Sequence, residues 1–85
     1  MIERDLVVNN PLGLHAQASA RVVQVLTAFR SQAYLQAKGR EVNAKSIMGV
    51  MLLAAGPGTT VRARIEGEDE HGAMAALVAL FDSGF

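Results

Sequence analysis

Two histidines, His15 and His71, are the side chains best placed for nucleophilic chemistry near neutral pH, because the sequence contains no cysteine. They stand in different settings. His71 follows the acidic run Glu68-Asp69-Glu70 at the start of an expected helix and reads as a solvated surface residue. His15 ends Gly13-Leu14-His15 directly before another expected helix, where free backbone N–H groups and the positive helix end converge. There it is either a loop residue beside the N-cap with no further role, or a nucleophile. As a nucleophile it would use its neutral ring, which the positive helix end favours, and the same end would stabilise a dianionic phosphoryl group once bound. Gly13 would let the backbone approach closely at that point.

A second constellation is Lys45-Ser46-Ile47-Met48-Gly49. Ser46 suits the N-cap of a short helix over 47–54. Ile47, Met48, Val50, Met51, Leu52 and Leu53 cannot all face one core from so short an element, so some are expected at the surface. Flexible methionines in an exposed apolar patch suit a surface that docks several partners, while a wholly core role is the plainer alternative. No HExxH, P-loop, Ser/His/Asp order or pair of catalytic carboxylates is present, and thiolate zinc sites and disulfides are excluded. No metal and no cofactor are expected; a nucleotide would have to come from a partner.

The elements that must position these residues follow from periodicity. Alternation over 2–8 predicts a first strand, broken by Asn9-Asn10-Pro11-Leu12-Gly13. A helix is expected from Ala16 to about Arg30-Ser31, with Gln17, Arg21, Gln24 and Ala28 outward and Ala20, Val22, Val23, Leu26 and Phe29 inward. Strands over 32–37 and 40–43 form a hairpin about Lys38-Gly39. The short helix is followed by Gly56-Pro57-Gly58, a fourth strand over 60–66, and a last helix from Glu70 with Ala73, Met74, Leu77, Leu80 and Phe81 as its buried stripe. The order is βαββαβα, an α+β fold with a four-stranded, mostly antiparallel sheet and three helices on one face.

Size and charge narrow the function further. Eighty-five residues make one domain over 1–85, with no room for a deep cleft between lobes. The formal net charge is zero, yet residues 1–46 carry six Lys and Arg against three acids, and residues 47–85 carry two against five. A mildly basic half suits an acidic protein or a phosphoryl group and is too weak for a duplex, so no nucleic-acid partner is expected. The charged opening Glu3-Arg4-Asp5 is unlike a secretory signal, and no apolar run spans a bilayer. A cytoplasmic protein without membrane insertion is the expectation.

Three segments together carry a family likeness: Asn10-Pro11-Leu12-Gly13-Leu14-His15-Ala16, the run from Val42 to Met51, and Gly67-Glu68-Asp69-Glu70. In this order and spacing the chain resembles the HPr phosphocarriers of the bacterial phosphoenolpyruvate-dependent phosphotransferase system, nearly end to end. Its last residues, Leu80 to Phe85, look like the nitrogen-related NPr branch, whereas Lys45 to Gly49 look like the sugar branch. The resemblance implies an HPr-like open-faced β-sandwich acting as a monomeric carrier and not as a stand-alone enzyme. His15 would take a phosphoryl group on Nδ1 from enzyme I and pass it to an enzyme IIA domain, supported by Gly13, Ala16, Gln17 and Arg21. Ile47, Met48 and Met51 would dock both partners. Ser46 would be the site of an HPr kinase/phosphorylase, whose product charge would repel an acidic partner from the docking patch.

One departure stands out. Gln17-Ala18 occupies the place where the family carries Arg-Pro, exchanging a full charge for a neutral amide and losing a residue that pre-sets the first helical turn. The second reading is therefore a regulatory interaction module of the same fold with weak or no transfer. A small ligand-binding domain is a third, disfavoured by the lack of pocket-lining residues.

Overall fold

The computed structural model describes all 85 residues. The strands are β1 (Ile2–Val7), β2 (Gln32–Ala37), β3 (Arg40–Asn43) and β4 (Thr60–Glu66), and the helices are α1 (Ala16–Thr27), α2 (Ile47–Leu52) and α3 (Glu70–Asp82). The expected βαββαβα order is observed. The sheet runs β1-β4-β2-β3 and every pairing is antiparallel. Alternation sets its two faces: Leu6, Val61, Ala63, Ile65, Ala33 and Leu35 point into the core, where Val22, Leu26, Leu77 and Phe81 of the helices meet them. Buried alanines in both layers, Ala18 and Ala73 on the helices and Ala33 and Ala63 on the sheet, allow the layers to approach closely. The other face is polar and open. Arg62 pairs with Asp5 at 3.0 Å, and Arg64 pairs with Glu41 at 2.9 Å while lying over the Tyr34 ring. No helix is long and apolar enough to cross a membrane.

Two helix ends differ from the sequence expectation, each for a traceable reason. α1 stops at Thr27, short of Arg30-Ser31, because the Arg30 and Ser31 N–H groups donate to the Asp69 carboxylate (2.8 and 2.9 Å) instead of to helix carbonyls. The Ser31 hydroxyl also donates to Asp69. α2 stops at Leu52, not Ala54, because Ala54 adopts a left-handed φ of 50° that cannot continue a helix. The buried face of α1 is likewise turned from the expected one: Ala18 and Ser19 are buried with Val22 and Leu26, while Ala20, Val23 and Phe29 are half-buried. Ser19 satisfies itself on the Leu14 carbonyl at 3.1 Å. α3 buries the five residues expected of it.

Asp69 leads into α3 without capping it through its side chain, since that carboxylate is engaged with the α1–β2 junction. These hydrogen bonds, the Ser31 hydroxyl first and the Arg30 N–H next, hold its carboxyl well below the usual 3.8, at about 2. A carboxylate whose folded pKa is depressed contributes its full stability above the unfolded value and loses it as pH falls through the folded one. Asp69→Asn is therefore expected to lower Tm at neutral pH and to flatten the acid limb between about 4 and 2. Circular-dichroism melts of both proteins across that range check it; parallel acid limbs would mean that Asp69 carries no linkage.

Candidate functional site

His15 is the N-cap of α1, in extended backbone (φ −74°, ψ −177°), so it begins the helix instead of sitting beside its cap. Its carbonyl accepts the Ser19 N–H at 2.8 Å, and its Nδ1 accepts the Gln17 N–H at 3.2 Å. A nitrogen that accepts from an amide presents its lone pair, which leaves the proton of the neutral ring on Nε2. The ring is half-exposed. Nδ1 thus carries an unprotonated lone pair, engaged only by the Gln17 N–H, at the positive end of a 12-residue helix.

The loop before His15 is built for tight seating. Gly13 is buried with φ 69°, and a Cβ there would fall 2.5 Å from the Ala55 carbonyl oxygen and 2.8 Å from the Gly56 Cα. Its close approach is to the 55–56 backbone. Leu14 then donates to the Ala55 carbonyl at 2.9 Å, and the Gly13 N–H closes a turn onto Asn10 at 3.2 Å. Asn10, expected to break the first strand, is buried and donates through Nδ2 to the Phe85 carbonyl at 3.3 Å.

The remaining predicted residues divide clearly. Ala16 and Gln17 form the first turn behind His15, but Gln17 reaches the imidazole by its main chain, while its side chain is exposed and unbonded. Arg21 is exposed on the same helix and makes no hydrogen bond or ion pair. His71 is exposed at the start of α3, as expected. No cluster of three or more metal-ligating side chains forms.

α2 packs against α1, and Lys45 Nζ ties their ends together by donating to the Phe29 carbonyl at 2.7 Å. Ser46 caps α2, its Oγ accepting the Gly49 N–H at 3.1 Å. The helix buries Val50, and Leu53 just beyond it; Met48 is 75% exposed, and Ile47, Met51 and Leu52 are also exposed. Leu12, at the tip of the His15 loop, is exposed to the same 75%. Its placement between Pro11 and Gly13 was the only sequence signal for that exposure.

Comparison with known proteins bears on what this arrangement does. Residues 2–83 match the family model described as the PTS HPr component phosphorylation site. The chain is 61% identical over 85 residues to a phosphocarrier protein HPr of Xylella fastidiosa (strain 9a5c), covering all of this chain and 96% of that protein. It is 52% identical, with the same coverage, to one from Cupriavidus necator. Among solved structures, HPr-C-His from Thermoanaerobacter tengcongensis superposes with a TM-score of 0.96 at 42% identity, over 100% of this chain and 96% of that one.

Proposed function

The chain belongs to the HPr family of the phosphotransferase system, and from that premise we propose that it carries a phosphoryl group on His15 Nδ1, taken from enzyme I and delivered to an enzyme IIA domain. Phosphocarrier function rests on the family. The residue assignment rests on one observation above others: Nδ1 of a half-exposed N-cap imidazole faces the first turn of α1 and accepts the Gln17 N–H.

The Nδ1 lone pair attacks the phosphorus of a phosphohistidine on the donor, the donor P–N bond breaks, and its electron pair returns to the donor imidazole, which takes up a proton as the Nε2 proton of His15 is released. Once Nδ1 is bonded to phosphorus it no longer accepts a hydrogen bond, so the Gln17 N–H is released to a phosphoryl oxygen. The dianion then sits at the positive end of α1, a favourable place for it. Delivery to enzyme IIA reverses these steps. An arginine side chain at 17 is not needed for this main-chain contact, which is why the neutral Gln17 is compatible with transfer. Incubation with phosphoenolpyruvate and enzyme I, read by intact mass with an acid-lability check, tests the assignment; an unmodified protein would overturn it.

Docking is assigned to Ile47, Met48 and Met51 on α2, beside α1. Ser46, capping that helix, is where an HPr kinase/phosphorylase would act. A phosphate there would suit a helix N-terminus yet place negative charge against an acidic partner. Met48→Asp is expected to weaken enzyme I binding at least ~10-fold, since loss of a central apolar contact typically costs ~2 kcal/mol or more. Folding should be little affected, because surface substitutions away from structural features usually stay within about 0.5 kcal/mol. Calorimetric titration paired with a thermal melt separates the two, and a collapse of Tm with unchanged affinity would place Met48 in the core.

A further inference from the structure

The only non-glycine residues with left-handed backbones, Lys38 (φ 54°) and Ala54 (φ 50°), are joined to each other, the Lys38 Nζ donating to the Ala54 carbonyl at 2.8 Å. They lie 16 residues apart. Lys38 begins the β2–β3 turn, and Ala54 follows the last turn of α2. Ala54 is exposed, so packing does not explain why a residue with a Cβ stays in this sparsely populated region. A shallow cleft of about 200 Å³, lined by Ala37, Lys38, Arg40, Leu52, Leu53 and Ala54, separates the hairpin from the end of α2. The Lys38 amine bridges it with a charge-assisted bond.

The segment so held is the seat of the His15 loop. Ala55 accepts the Leu14 N–H, and Gly13 lies too close to the Ala55–Gly56 backbone for any Cβ. No other side chain hydrogen-bonds Ala54, Ala55 or Gly56. Arg40, the neighbouring cation, grips a different carbonyl, that of Leu52 at 3.0 Å, within α2 and off the seat. Resting on the reading of His15 as phosphoryl acceptor, we infer that Lys38 is a positioning residue for the transfer: by holding Ala54 in its left-handed conformation it fixes the 54–56 backbone that sets the height and angle of His15. Attack geometry is steeply sensitive to such placement, and a misplacement on the order of 1 Å can cost ~100-fold.

The test compares Lys38→Met, Lys38→Arg and Arg40→Met with the wild type, using phospho-enzyme I and, separately, phosphoramidate, from which Nδ1 displaces ammonia. Lys38→Met should slow acceptance from both donors by roughly 5-fold or more and shift the Leu14 amide resonance, with Tm nearly unchanged. Lys38→Arg should recover most of the rate, since it restores a donor. Arg40→Met removes the same charge from the same hairpin and should stay within about twofold of the wild type. Equal slowing by Lys38→Met and Arg40→Met would reveal a steering charge; slowing confined to enzyme I would reveal a partner contact. Either result overturns the positioning role, as does an unaltered rate in Lys38→Met. Failure of the wild type to label His15 is a separate outcome, seen without any variant, and would overturn the reading on which the inference rests.

Discussion

His15→Asn is expected to abolish phosphoryl acceptance while leaving a folded protein with an ordinary melting transition. The structure explains why the two effects separate. His15 contributes to folding as the N-cap of α1, where its ring nitrogen accepts the Gln17 N–H. Asparagine is among the strongest N-cap residues, and its side-chain oxygen can take over that bond, whereas alanine at such a position costs about 0.5–2 kcal/mol. The amide has no nucleophilic nitrogen, so the acid-labile adduct formed with phosphoenolpyruvate and enzyme I should disappear from the intact-mass spectrum. His71→Asn is the companion measurement. That residue is exposed at the start of α3 and should leave the adduct at its wild-type level. An adduct that survives in His15→Asn, or that is lost in His71→Asn, would move the chemistry away from α1.

Much of this site was legible from the sequence because its ingredients are local. A histidine directly before a helix, after a glycine, is enough to bring an imidazole to free backbone N–H groups, and period-2 and period-3.6 patterns place the strands and α3. What the sequence withheld depends on contacts between distant segments. The end of α1 is decided by Asp69, whose carboxylate lies 39 residues from Arg30. The buried face of α1 was read from its larger apolar residues, yet Ser19 is buried because its hydroxyl finds the Leu14 carbonyl, a partner outside the helix. The amide that meets Nδ1 is the backbone of Gln17, a contact set by the helix start and not by the residue type at 17. No residue-type pattern announces that Ala54 will be left-handed, since alanine carries no preference for it. Glycine at 13 signalled a close approach without saying to what.

Gly13→Ala tests that close approach and should be strongly destabilising. Two costs add there. A residue with a Cβ at φ 69° pays roughly 1–2 kcal/mol for the left-handed backbone. The methyl must also displace the Ala55 carbonyl oxygen and the Gly56 Cα, 2.5 and 2.8 Å away, which are backbone atoms that cannot rotate aside. Overpacking of this kind costs ~1–3 kcal/mol. Together they come to about 2–5 kcal/mol, which in a domain of this size lowers Tm by roughly 8–40 °C. Gly39→Ala isolates the first cost, because Gly39 has a similar φ of 75° but nothing within 4 Å of the added methyl. Its melting point should fall by only about 4–16 °C. The difference between the two variants therefore measures the fit of the His15 loop on its seat. The same displacement would break the Leu14 to Ala55 hydrogen bond and shift the imidazole, so phosphoryl transfer in Gly13→Ala should drop at least ~10-fold at a temperature where the protein is still folded. Gly39→Ala, in a turn whose methyl would touch nothing, should transfer near the wild-type rate. Equal melting points and equal transfer rates in the two variants would mean that the loop yields to the methyl, and that seating on Ala55–Gly56 does not place His15.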